Sequence, residues 1–226
     1  MLRMQRNSTL LSIPLFKGFS EPELTELLCH IGAENTYCEN DKIILHEGEK
    51  NRYIYIVLSG FALGVKYDLS GREVVYNKLT AGCIFGDMLA VSKQSDSPVT
   101  VKAFAKTEIM RFCFDNLVAI DGKEPHLRVK LLKNLTAELA VKYFDLQKRI
   151  DCLVCPTLRL KITEYLTKQS RIQKKNTFNI PHNREQLAAY LNTDRSALSR
   201  ELSNMKKEGI LDYYKNSFKL NEMIWH

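Results

Sequence analysis

No apolar run among these 226 residues approaches the ~20 residues that a bilayer-spanning helix needs. The first sixteen residues carry Arg3 and Arg6, but their apolar stretch is short, broken by Pro14, and followed by no small-residue cleavage site. A cytosolic chain with no signal peptide and no membrane partner is expected. A disulfide framework is missing as well: Cys29, Cys38, Cys83, Cys113, Cys152 and Cys155 lie scattered through a long chain. Only Cys152-x-x-Cys155 has ligand spacing, and one pair lacks the second that a structural zinc needs, with His182 the nearest later histidine. These thiols therefore read as small buried hydrophobes, with a redox role for Cys152 and Cys155 left open. Through most of the chain neither sign of charge dominates: residues 1–150 carry 20 Lys/Arg against 18 Asp/Glu.

What excess there is lies elsewhere. Residues 151–226 carry 13 Lys/Arg against 8 Asp/Glu, so the smaller C-terminal third holds most of the net +7. Positive charge concentrated there favours phosphate contact and counterion release. A hydrophobic content of 45% and a charged content of 26% fit a globular protein with real cores, and the length allows one large domain or two ordinary ones.

The basic third contains the most informative stretch, Asn183 to Gly209. Asn183 can cap a helix, with Gln186 three residues on as capping-box partner, and Leu187, Ala188 and Leu191 form one apolar stripe. Asn192 and Thr193 are turn formers, and Thr193 or Asp194 can start a second helix. In that helix Leu198, Leu202 and Met205 make the buried stripe, leaving Arg195, Ser196, Ser199, Arg200 and Asn204 on other faces, until Gly209 ends it as a left-handed cap. Two helices about a tight turn, with outward arginine and serine, form the helix-turn-helix pattern, although an αα-hairpin with a merely solvated polar face has the same period. After Gly209, residues 210–220 alternate like two strands around Lys215-Asn216-Ser217, a wing.

Upstream, residues 8–34 read as helical, with Ser20-Glu21-Pro22-Glu23 a helix start and Leu24, Leu27, Leu28 and Ile31 an apolar face. From Thr36 to Phe114 the texture turns to short β-rich runs, Tyr53–Leu58, Glu73–Tyr76, Val99–Val101 and Glu108–Phe112, punctuated by Gly48, Gly60, Gly71 and Gly82. That spacing argues an antiparallel jelly roll or barrel, with Asp68-Leu69-Ser70-Gly71 a hairpin turn and the barrel mouth a ligand site. Residues 125–150 read as one long helix, in which Val129, Leu132, Thr136, Leu139, Tyr143, Leu146 and Ile150 keep a heptad suited to pairing between two protomers. Asp151 to Pro156 reads as a hinge, followed by a helix capped by Thr157, a basic loop Arg171–Asn176 and a short strand Thr177–Ile180. The architecture is thus α+β: a sensing jelly roll over residues 1–124, a dimerisation helix over 125–150 and a winged helix-turn-helix over 151–226.

In this order the parts resemble the cyclic-AMP receptor and fumarate-nitrate regulator (Crp/Fnr) family of bacterial transcription factors. The stretches that carry the resemblance are Tyr55-Ile56-Val57-Leu58-Ser59-Gly60, Cys83-Ile84-Phe85-Gly86-Asp87-Met88, and Asn183 to Ala188 running into Arg195 to Arg200. The resemblance implies a double-stranded β-helix of the cyclic-nucleotide-binding kind, a homodimer on a palindromic operator in double-stranded DNA, RNA polymerase as a further partner, and no enzymatic activity. Arg195, Ser196, Ser199 and Arg200 match the family's DNA-facing residues, and Arg200 matches the arginine that reads guanine O6 and N7. Where many members have a glutamate this chain has Ser196, which implies an operator of familiar layout but different core bases. Asn183, Arg184, Thr193 and Lys215 complete the expected DNA contacts.

The effector site implied by the resemblance comprises Gly86, Asp87, Met88, Ser97, Pro98, Val99 and Thr100. Cyclic-nucleotide-binding members have Gly-Glu and, about ten residues later, Arg-Ser, the arginine pairing with the cyclic phosphate. Here Asp87 replaces the glutamate and Ser97-Pro98 replaces Arg-Ser; Pro98 also removes a backbone N–H, and Lys93 on a loop is a weak substitute. Cyclic AMP is therefore disfavoured. Iron–sulfur members use an N-terminal cysteine cluster, and residues 1–28 contain no cysteine. Haem stays open, with His30, His46 and His126 as candidate ligands, and the identity of any small-molecule effector is unknown. Two other readings compete: a cupin-like metal enzyme prompted by His46-Glu47-Gly48-Glu49, which lacks the further histidines, and an effector-binding module acting on protein partners.

Overall fold

Pro14 removes an N–H that a continuous helix would need, so the helix expected over residues 8–34 is broken: residues 10–11 are helical, a short 3₁₀ turn follows at Pro14–Phe16, and then comes α1, Glu21–His30. Helix α1 starts where Ser20 and Glu23 form a reciprocal capping box, the Ser20 N–H donating to Glu23 Oε2 at 2.7 Å. That bond holds the Glu23 carboxyl well below its usual range, at about 2. A computed structural model describes residues 10–92, 96–119 and 123–221, in two compact units, 1–140 and 141–226.

In the first unit the strands are β1 Glu34–Cys38, β2 Ile43–Leu45, β3 Tyr53–Tyr67, β4 Glu73–Thr80, β5 Ile84–Phe85 and β6 Thr100–Cys113. They form one antiparallel sheet in the order β1-β6-β3-β4, with β2 on β6 and β5 on β3. The first part of β3, Ile54 to Val57, is buried on both faces, which explains the apolar run there. Ile54 and Ile56 face a core with Leu24 and Leu27 of α1 and with Met110 and Phe112. Tyr55 and Val57 face the roll interior with Leu45, Phe85, Val101, Ala103 and Ile109.

Gly60 does not end a strand, as its spacing suggests, but sits inside β3 where the register to β6 shifts. Likewise Val99–Val101 and Glu108–Phe112 are not two strands: Thr100 and Val101 start β6, which Val99 precedes, and Glu108–Phe112 lies near its other end. The reason is long-range: Gly60, at φ 74°, lets the Lys106 carbonyl and Thr107 approach where a Cβ would lie only 2.6 and 2.8 Å away. Gly60→Ala combines a left-handed backbone cost of ~1–2 kcal/mol with that overlap. A loss of about 2–3 kcal/mol in urea denaturation is expected, and an unchanged midpoint would contradict the bulge assignment. The Asp68–Gly71 turn forms as read: Asp68 Oδ1 accepts from the Ser70 and Arg72 N–H groups at 2.9 and 3.0 Å.

Short helices α2, Asp87–Ser92, and α3, Phe114–Val118, flank β6, and the long helix α4 runs from Pro125 to Leu153. Leu127, Leu131 and Leu135 of α4 join the core around Phe112. Arg128 is buried beside them, donating to the carbonyls of Asn116, Leu117 and Lys123. Residues 151–153 are still helical, so the break expected at Asp151–Pro156 narrows to 154–157. By packing, the chain divides inside α4, between Ala140 and Val141, whereas the sequence sets boundaries at 124 and 150.

The second unit contains α5 Leu158–Gln173, β7 Thr177–Asn179, α6 Arg184–Tyr190, α7 Arg195–Lys207, β8 Leu211–Tyr214 and β9 Ser217–Leu220. Thr157 caps α5 by accepting from the Leu160 N–H at 3.2 Å. The wing is three-stranded, in the order β7-β9-β8. Its Phe178 and Phe218 bury against Ile162 of α5, Leu187 of α6 and Leu202 of α7.

Candidate nucleic-acid interface and effector site

Four local devices set α6 and α7. Asn183 caps α6: its Oδ1 accepts from the Gln186 N–H at 2.9 Å, and its own N–H donates to Gln186 Oε1 at 2.8 Å. Asn192, at φ 50°, then closes α6, with its N–H bonded to the Ala189 carbonyl and the Thr193 N–H to that of Ala188. Asp194, not Thr193, stands at the N-cap of α7, without a side-chain cap bond. At the far end Gly209, at φ 72°, repeats the closure, its N–H bonding Lys206 and that of Ile210 bonding Met205.

Leu198, Leu202 and Met205 of α7 are fully buried against Leu187, Ala188 and Leu191. The 3.6-residue turn therefore leaves Arg195, Ser196, Arg200 and Asn204 exposed, with Ser199 and Thr193 half-buried. Neither Arg195 nor Arg200 is held by an ion pair among the described residues. By contrast Lys206 on the same helix is paired with Asp212 at 2.5 Å.

Two of the other expected DNA contacts are engaged within the fold. Asn183 is exposed, but its side chain is the helix cap. Arg184 turns onto the wing, its guanidinium over the rings of Tyr213 at 4.9 Å and Phe218 at 5.4 Å, where burial lowers its pKa. Lys215 stands exposed at the hairpin tip, at φ 52°. Together with Asn179, Arg184, Tyr214, Asn216 and Ser217 it lines an open groove of about 610 Å³.

Behind this surface lies a neutral polar pair. The Tyr165 hydroxyl bonds His182 Nδ1 at 2.7 Å. Burial pushes the tyrosine pKa up and the histidine pKa down, so both stay uncharged near neutrality. Cys152 is buried in the same core, its thiol pushed up to about 11 by desolvation, and Cys155 Sγ bonds the Asp151 carbonyl at 3.4 Å. A thiol that stays protonated is a poor metal ligand or nucleophile.

In the first unit, Gly86 takes φ 72° at the corner before α2, where a Cβ would meet Asn51 Nδ2 at 2.7 Å. Asn51 had no local signal in the sequence, yet it is buried and donates to the carbonyls of Tyr53 and Gly86 at 2.6 and 3.1 Å. It pins the corner from which Asp87, buried, and Met88, exposed, project. Ser97 is buried with its hydroxyl donating to the Val99 carbonyl at 2.7 Å, and Pro98 is exposed. Thr100 Oγ1 accepts from the Glu47 N–H at 3.1 Å, while Val99 packs on the roll interior. Ser97, expected where cyclic-nucleotide-binding members have an arginine, thus has its hydroxyl engaged by the backbone two residues on. Lys93 lies outside the described residues.

The histidines are spread out: half-buried His30 ends α1, exposed His46 follows β2, and exposed His126 lies beside Glu124 at the start of α4. His46-Glu47-Gly48-Glu49 forms a strand-end turn, the His46 N–H donating to Glu49 Oε2 at 3.1 Å. Of the heptad residues on α4, Val129, Thr136, Tyr143, Leu146 and Ile150 are exposed. Leu132 and Leu139 are half-buried because they also pack on the core around Phe112. Among the described residues no helix is long and apolar enough to cross a membrane.

Residues 36–120 match the family description "Cyclic nucleotide-binding domain", and residues 160–223 match "Crp-like helix-turn-helix domain". The cyclic AMP receptor protein of Thermus thermophilus is 27% identical over 198 residues, covering 88% of each chain. Among solved structures, the catabolite activator protein of Thermus thermophilus is 23% identical with a TM-score of 0.55, covering 92% of this chain and 94% of that one. The c-di-GMP-responsive regulator CLP of Xanthomonas campestris is 16% identical with a TM-score of 0.56, covering 90% and 100%. At those identities the two structures speak to the fold. With a roll of the cyclic-nucleotide-binding kind followed by a Crp-like helix-turn-helix domain on one polypeptide, the chain belongs to the Crp/Fnr family of transcription regulators.

Proposed function

We propose that this regulator works as a homodimer whose two α7 helices enter successive major grooves of a palindromic operator. The observation that carries this is the outer face of α7, where Arg195 and Arg200 stand exposed, with no ion pair among the described residues, over a fully buried Leu198, Leu202 and Met205. Arg200 reads a guanine through O6 and N7, while Arg195, Ser196 and Ser199 contact neighbouring bases and phosphates. Ser196 selects core bases different from those read by a glutamate. Thr193 and Lys215 contact the backbone, and Asn183 and Arg184 act by holding α6 and the wing in place. RNA polymerase is the further partner, and the cytoplasm, where the DNA lies, is the site of action.

The two protomers meet along Val129, Thr136, Tyr143, Leu146 and Ile150, with Leu132 and Leu139 at its flank. A signal acting on the roll at Gly86–Met88 and Ser97–Thr100 alters the DNA affinity, which requires that the signal favour one arrangement of the dimer over the other. Although one relative is named for cyclic AMP, this chain has Ser97 where an arginine would pair with the cyclic phosphate, which argues against cyclic AMP as its effector. Electrophoretic mobility shift against a randomised duplex pool tests the reading. Saturable, sequence-selective binding that cyclic AMP leaves unchanged is expected; binding indifferent to sequence would overturn it.

A further inference from the structure

Arg159 lies in the first turn of α5 and reaches across to α7. Its Nε donates to Glu201 Oε1 at 2.6 Å, and its Nη1 and Nη2 donate to Glu208 Oε2 and Oε1 at 2.6 and 2.8 Å. One guanidinium thus engages two carboxylates that are seven residues, or about two helical turns, apart on one face of the recognition helix and its C-cap. The bonds keep the arginine pKa above and the Glu208 pKa below their ordinary values, so both of these groups are charged.

The apolar contacts between these helices cannot do the same work. Ile162, Leu202 and Met205 share one core, and burial of that kind sets a separation but has no direction. A planar fork held at two points resists both sliding and rotation of α7. Glu201 directly follows Arg200 in the chain, so any rotation of α7 carries both. At an outer radius of ~5–6 Å, turning the helix by ~10° moves a side-chain atom by ~1 Å. A bidentate contact to a base edge tolerates about half that.

We infer that Arg159 is a positioning residue for base recognition: through Glu201 and Glu208 it sets the rotational phase at which α7 presents Arg200, without itself touching the duplex. This rests on the base-reading role proposed for Arg200. The Arg159 and Glu208 side chains are 40% and 45% exposed and Glu201 is 22% exposed, and none of the three is buried enough for the pairs to contribute much to stability. The fold therefore survives loss of the fork, and the effect falls on recognition.

The test compares the full chain, Arg159→Lys and Glu208→Gln on two duplexes. One is selected by the wild type from a randomised pool; the other is a scrambled duplex of equal length. Lysine keeps the charge and removes the planar fork, while Glu208→Gln breaks it from an exposed side chain. Each variant is expected to keep the wild-type melting temperature within a few degrees and the wild-type affinity for the scrambled duplex. Each should lose at least tenfold in the ratio of selected to scrambled affinity. A ratio unchanged in both variants overturns the inference, as does an equal loss on both duplexes, which marks a merely structural pair. Arg200→Ala is run alongside: if it keeps the wild-type base preference, the reading of Arg200 has failed, and the positioning role falls with it.

Discussion

Arg200→Ala is expected to erase the preference for one base pair in each half-site while leaving the protein folded. Arg200 is exposed on α7 and engaged by no ion pair among the described residues, so its removal opens no cavity and orphans no buried charge. A bidentate arginine–guanine contact is worth ~1–3 kcal/mol of discrimination, about tenfold or more at one position. In a symmetric dimer the loss occurs twice, so discrimination against a doubly substituted operator falls by about 2–6 kcal/mol. Affinity for unrelated duplexes should drop only by the share of one charge per protomer, visible as a shallower dependence on salt. Competition between the selected duplex and its substituted variants measures both. A uniform loss across all sequences would make Arg200 a phosphate contact and move base reading elsewhere on α7.

Tyr143→Glu has the second large effect. Tyr143 is 58% exposed on α4, stacked edge-on with Phe144 at 5.5 Å, with Leu146 and Ile150 exposed beyond it. An apolar stripe of this length along one helix is costly in water unless covered, and a second copy of the same helix covers it by symmetry. Two carboxylates placed opposite each other there repel and resist desolvation. The variant should sediment as a monomer at micromolar concentration. Operator affinity should then fall by roughly 10²–10⁴, the advantage of binding the second half-site within the same particle. Leu139→Glu is the less clean choice, because Leu139 also packs on the first unit's own core. A Tyr143→Glu dimer of wild-type affinity would place the interface on another surface.

The parts that were legible from sequence share one property: their determinants lie within a few residues of each other. The Asn183–Gln186 capping box, the Leu198-Leu202-Met205 stripe and the Asp68–Gly71 turn all formed as read, because caps, helical period and turn chemistry are local. Gly60 misled because a glycine at a mid-strand bulge has the same local signature as one at a turn. The Lys106 carbonyl and Thr107, brought up from β6, distinguish them. Pro14 interrupted a helix that the apolar period of its neighbours suggested, and three further residues carried α4 to Leu153. In the sites, the period of α7 showed which side chains point outward, but not that Arg184 would turn onto Tyr213 and Phe218. Nor was the Arg159 fork visible, since its partners lie 42 and 49 residues away. Asn51 was missed for the same reason, as the Gly86 corner it pins is 35 residues downstream.

Hydroxyl-radical footprinting of the full chain on its selected duplex addresses the paired presentation of α7 directly. Two protected blocks related by a dyad are expected, their centres ~34–36 Å apart along the helix axis, both vanishing together in Tyr143→Glu at concentrations where the wild type saturates. A single protected block, or two that persist in a monomeric variant, would contradict it.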